Sequence, residues 1–154
     1  MTAEEVMEIL RGLDAGSVAA AGASYGEAAS ALETLAERIA QHIRTLSEHW
    51  DGTAADAALA SLRRSGERAL DASARAKRTA AALTWLGTDV LPVFRALPDP
   101  AGQPDAHAVA SRYLAELDGN LTEAAEALLL DRTAPGPPTG QFAMAIHVLQ
   151  LREA

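Results

Sequence analysis

The side chains best able to do chemistry in this chain are few, and their spacing gives them little to work with. His42 and His49 stand seven positions apart. On a helix that separation is about 10 Å of axial rise, too far for both to hold one ion. The pair Glu48-His49 has no second His four positions later, which a zincin-type helix requires, and His107 and His147 stand alone. Cys is absent, so thiolate ligands, cysteine nucleophiles and disulfides are excluded. No Gly-x-Ser-x-Gly elbow, phosphate-cradling glycine loop or Asp-rich calcium loop occurs. Asn120-Leu121-Thr122 matches a glycosylation acceptor formally, but it falls inside a helical apolar pattern. We therefore expect neither an enzyme nor a cofactor or metal protein, and look for function in binding.

Two candidate recognition features remain. The first is Trp50-Asp51-Gly52, with a second Trp-x-Gly at Trp85-Leu86-Gly87. The second is a concentration of positive charge at Arg63, Arg64, Arg68, Arg75, Lys77 and Arg78. This run admits two readings: a surface for an acidic partner, or a solvated helix face partly paired with itself. The four-residue spacings Arg63 to Glu67 and Asp71 to Arg75 suit the self-paired face.

These residues need long helices to position them. The composition, 49% apolar and dominated by Ala and Leu with only two each of Phe, Tyr and Trp, favours helix over a pleated sheet. Thr2 can cap a first short helix with Glu4 and Glu5 in its opening turn, Val6, Ile9, Leu10 and Leu13 as its apolar stripe, and Gly12 and Gly16 to end it. Over 17–49 two heptad ladders run together, Tyr25, Leu32, Ile39, Leu46 and Ala29, Ala36, Ile43, Trp50. Over 53–90 they return as Ala55, Leu62, Ala69, Ala76, Leu83, Val90 and as Leu59, Gly66, Ser73, Ala80, Gly87. The small residues in mid-seam allow close approach of two helices.

Only Trp50-Asp51-Gly52 separates these segments. Gly52 can close a helix in the left-handed conformation, and Asp51 or Thr53 can cap the next, which predicts a tight antiparallel reversal. Pro92, Pro98, Pro100, Gly102 and Pro104 mark the far end of the hairpin and a connecting loop. A third helix is predicted over 105–131, packing back along the hairpin, from Ala106, Ala110, Tyr113, Leu117, Leu121, Ala124 and Leu128. The fold class read from the sequence is thus all-α. A helical bundle spans 1–133, with the hairpin at 17–91. A Pro/Gly linker follows at 134–140, and a short amphipathic segment with Phe142, Ile146 and Leu149 at 141–154.

Charge and hydropathy narrow the partners. A net charge of −8 argues against a general nucleic-acid binder, because phosphate affinity comes largely from Lys and Arg. No apolar run approaches the roughly 18 residues of a membrane span. The opening Met1-Thr2-Ala3-Glu4-Glu5 is acidic where a secretory leader is basic. If the protein is exported, the expected route is one that accepts a leaderless folded chain.

Trp50-Asp51-Gly52, at a turn between two long amphipathic helices of an acidic chain, resembles the WXG family of type VII (ESX-type) secretion substrates. The resemblance covers roughly 17–92. It implies a hairpin that pairs into a four-helix bundle, with Trp50 at the turn shaping a groove beside a signal from the partner chain. For Trp50 the residues alone leave two roles open, a core indole at a helix end or an exposed indole lining that groove.

The leading helix and the third helix look more like the longer PPE-type relatives, or the N-terminal targeting domain of a larger secreted protein. The implied partner is a WXG- or PE-like helical protein, as homodimer or heterodimer, together with the secretion machinery. The implied localisation is cytoplasmic before export and secreted after it. The expected pairing surface comprises Leu32, Ile39, Ile43, Leu59, Leu62, Ala69 and Ala76. The family's export signal, a Tyr followed four residues later by an acid, is not matched by Tyr25 or Tyr113. Trp85 and Asp89 have the aromatic-to-acid spacing and form a degenerate match, against which stands a packed indole followed by a solvated carboxylate. Other binding roles stay open beside this resemblance: an intracellular helical adaptor, or a small immunity or inhibitor protein.

Overall fold

The computed structural model describes residues 1–129, and every regular element among them is helical: α1 (Ala3–Arg11), α2 (Ala15–His49), α3 (Thr53–Trp85), α4 (Leu91–Arg95) and α5 (Ala106–Leu129). A single π-helical stretch, Leu86–Val90, links α3 to α4 without a break. The expected linker at 134–140, the segment at 141–154 and the last two positions of the third helix lie outside the described residues. The chain divides into two compact units, one comprising 23–80 and the other the residues on either side of it.

Most of the largest fully buried side chains, among them Phe94, Met7, Leu10 and Val90, belong to the flanking unit. α1 begins with a full capping box: the Thr2 hydroxyl accepts from the Glu5 backbone N–H, and the Glu5 carboxylate accepts from the Thr2 N–H. It buries Val6, Met7 and Leu10 and packs against α5 and α4. The remaining core comes from Leu86, Val90, Leu91 and Phe94 at one place in the chain, and from Ala110, Tyr113 and Leu117 of α5. Arg11, in the last turn of α1, ties that helix to the loop before α5 through a 2.6 Å ion pair with Asp99. The side chain of Asp14 caps α2 by accepting from the backbone N–H and the hydroxyl of Ser17, which starts that helix two residues earlier than the sequence predicts.

One correction falls in this unit. The prolines after Val90 predict a connecting loop, yet helix continues to Arg95 and Phe94 is completely buried. Pro92 falls in the first turn of α4, where a missing N–H is tolerated, and the preceding turn widens so that Leu91 N–H bonds to the Leu86 carbonyl. The third helix is predicted to pack along the hairpin. Its buried residues share one core with α1, α4 and the base of the predicted hairpin, through Leu86 and Val90 with Val18 and Trp85 packed against them.

The unit 23–80 is an antiparallel hairpin. Its register is set by contacts across the seam: the buried Ser73 hydroxyl donates to the Ala29 carbonyl at 2.9 Å, and Lys77 pairs with Glu33. Nearer the turn, a Cβ placed on Gly66 would lie 3.5 Å from Ile39 Cγ2. Ala29, Ala36, Ala55, Leu59 and Ala69 are buried in the seam. Small residues therefore bring the helices together, as the heptad ladders predict.

Candidate functional site: the hairpin turn and its apolar side

The reversal that the sequence places at 50–52 is present. α2 ends at His49, α3 begins at Thr53, and Gly52 has φ of +96°. That value lies in the left-handed region, which an L side chain adopts only with strain. The side-chain cap expected from Asp51 or Thr53 does not form. The Gly52 carbonyl accepts the first backbone bond of α3, from Asp56 N–H at 3.0 Å. On the other arm, His49 Nδ1–H donates to the Thr45 carbonyl at 3.1 Å and completes the last turn of α2.

Trp50 is 44% exposed at this junction, beside the exposed Asp51 and Gly52. Of the two roles open for its indole, burial in a core is not the one the geometry provides. Burying an indole favours a fold or an interface by virtue of its large area, so a half-exposed one leaves that gain unrealised.

The exposure extends along the hairpin. Tyr25, Leu35 and Leu46 of α2 are 46%, 47% and 36% exposed. Within the expected pairing surface, Leu32, Ile39, Ile43, Leu62 and Ala76 are half-buried, while Leu59 and Ala69 are covered inside the hairpin's own seam. A two-helix hairpin can cover only the stripe where its helices meet, so the apolar band on α2, which is wider than that stripe, stays partly open to water. The heptad ladders reveal the seam, but Leu35 lies outside both ladders and escapes a reading based on them.

The other candidates are placed as follows. Trp85 ends α3 and is half-buried against the core of the flanking unit, while Asp89 is exposed in the π stretch and accepts from the Thr88 hydroxyl at 2.9 Å. Gly87, from the second Trp-x-Gly, is buried, and a Cβ there would fall 2.5 Å from Ala19 N. It permits close packing, in keeping with its seam position. Asn120 is 1% exposed and its Nδ2–H donates to the Glu116 carbonyl at 2.7 Å, so the formal glycosylation acceptor is a core side chain.

The positive run is exposed at Arg63, Arg64, Arg68, Arg75 and Lys77, as a solvated face would be, but the two expected pairings are absent. Neither Arg63–Glu67 nor Asp71–Arg75 forms an ion pair, because exposed pairs gain little against the entropy of two long side chains. Lys77 instead reaches across to Glu33 on α2. Among the described residues no group of three or more His, Asp or Glu side chains is placed to hold a metal ion, and no helix is long and apolar enough to cross a membrane.

Comparison with known proteins yields no match to a protein-family model, to a curated protein or to a solved structure.

Proposed function

We propose that this chain is a type VII secretion substrate or targeting domain that works by binding: its hairpin pairs with a second helical protein and presents the Trp50-Asp51-Gly52 turn to the export machinery. The observation that carries the reading is the half-exposed indole at a glycine-closed reversal, continuous in sequence with an arm whose apolar side chains are left uncovered. A hairpin needed only for its own stability gains nothing from showing water Leu35, Leu46 and Trp50 together. A helical partner laid on that side would bury Leu35 and Leu46 and leave the Trp50 turn for recognition. In this reading the half-buried Leu32, Ile39, Ile43, Leu62 and Ala76 form the pairing surface, and Leu59 and Ala69 hold the hairpin closed beneath it.

Trp85 and Asp89 keep the aromatic-to-acid spacing in this proposal, with the carboxylate in solvent and the indole half-covered. An export assay in a competent host tests the reading. Trp50→Ala should abolish secretion while the purified variant keeps its helical content and melting temperature, since much of the indole's area is already in water. Undiminished secretion of Trp50→Ala, or retention of the unaltered chain in the cell, would instead favour an intracellular adaptor or an immunity-type protein.

A further inference from the structure

The cross-helix ion pair settles which positions of the two arms share a side of the hairpin. Ser73 and Ala29 meet in the seam, and Lys77 pairs with Glu33, each four positions further along its own helix. One side of the hairpin therefore takes the positions four beyond each seam residue. With a repeat of seven, the positions one before each seam residue fall on the opposite side. On α2 these are Ala28, Leu35 and His42, and on α3 Ser65, Ala72 and Thr79.

The two sides differ in charge. The side of the ion pair carries Glu33, Glu37, Asp56 and Glu67 along with its cations. The opposite side, where Leu35 is exposed and Leu32, Ile39 and Leu46 show their flanks, has no carboxylate at any of its positions. Its edges are basic: the next positions outward include Arg38 on α2 and Arg68 and Arg75 on α3, all exposed and without an ion pair among the described residues.

We infer that this side of the hairpin is a docking surface for an amphipathic helical partner whose apolar stripe is edged with carboxylates, and not for a second copy of this chain. Charge complementarity selects the occupant. In a two-fold pair each copy would offer the same surface, setting the Arg38, Arg68 and Arg75 edges against each other with no acid between them. An acid-edged helix meets the same cations favourably while its apolar residues cover Leu35, and the small Ser65 and Ala72 of α3 let it approach closely. The inference rests on the pairing half of the proposed function and is independent of export.

The test uses the full chain and two synthetic amphipathic helices with one Leu/Ala stripe, edged in one peptide by Glu and in the other by Lys. At low ionic strength the Glu-edged helix should bind about tenfold more tightly, and the gap should narrow as salt is raised. Arg68→Glu with Arg75→Glu should reverse the preference. Leu35→Asp should remove binding of both peptides at unchanged melting temperature, because the position is exposed. Sedimentation equilibrium of the chain alone should give a monomer at the concentrations used. Equal affinities, binding of neither peptide, an unaltered preference after charge reversal, or a self-dimer that Leu35→Asp dissociates would each overturn the inference. A chain that prefers the Glu-edged helix yet is never exported would defeat the export proposal and leave the docking surface standing.

Discussion

Among the described glycines, Gly87 is the most tightly enclosed. The nearest atoms to an added Cβ are backbone atoms of α2, Ala19 N at 2.5 Å with Ala15 O and Ala19 Cα at 2.8 Å, so no side-chain rotation can make room. Gly87→Ala should therefore destabilise the protein by about 1–3 kcal/mol, the range for overpacking a tight contact, read as a lower midpoint in urea unfolding. An undiminished midpoint would show that α2 and the π stretch separate without cost. The need for a small residue here is legible from the seam position of Gly87. The depth of the constraint is not, since it comes from backbone atoms of a helix far away in the chain.

At the level of elements, periodicity identifies α1, α2, α3 and α5 to within a few residues, because Ala and Leu ladders report directly on which stripe of a helix is buried. It fails where a second signal is set against it. Pro92 and the prolines after it read as the end of helix, yet Phe94 needs burial and the widened turn satisfies both requirements. Side-chain caps are read correctly at Thr2, overlooked at Asp14 and assigned in vain at Asp51 or Thr53.

The tether between α1 and the loop before α5 gives this scale its own expectation. Asp99 is held below the ordinary aspartate value of 3.8, first by the Ala101 backbone N–H and then by the Arg11 guanidinium. A depressed folded value means that ionised Asp99 contributes stability in full at pH well above 3.8, and that the contribution fades as pH falls through the lowered value. The melting temperature of Asp99→Asn should accordingly lie below that of the parent near neutral pH and converge with it in acid. A gap that persists unchanged to acid pH would remove the ion pair and the backbone bond as its cause.

Over the whole molecule, the two units differ in what they bury. The flanking unit closes over Met7, Leu10, Val90 and Phe94, all completely covered, whereas the hairpin's seam is mainly alanine with Leu59 and Ser73. Burial of apolar area scales with side-chain size, so the hairpin should open locally at lower free energy. Amide hydrogen exchange should show faster exchange in the 30–45 and 55–70 stretches than in α1 and the buried turns of α5. Docking of an acid-edged helix should slow exchange in the hairpin alone.

The antiparallel register fixed by Ser73–Ala29 and Lys77–Glu33 also makes the length of the hairpin an editable quantity. Residues 40–46 and 59–65 lie opposite one another in that register, and excising both removes one heptad from each arm, shortening the rod by about 10.5 Å while returning every remaining knob to its hole. Such a paired excision should yield a cooperatively folding protein with the Trp50 tip intact, whereas removing 40–46 alone should not. The distance between the tip and the base of the hairpin can then be set like a ruler, in whole heptads, without altering the residues at either end.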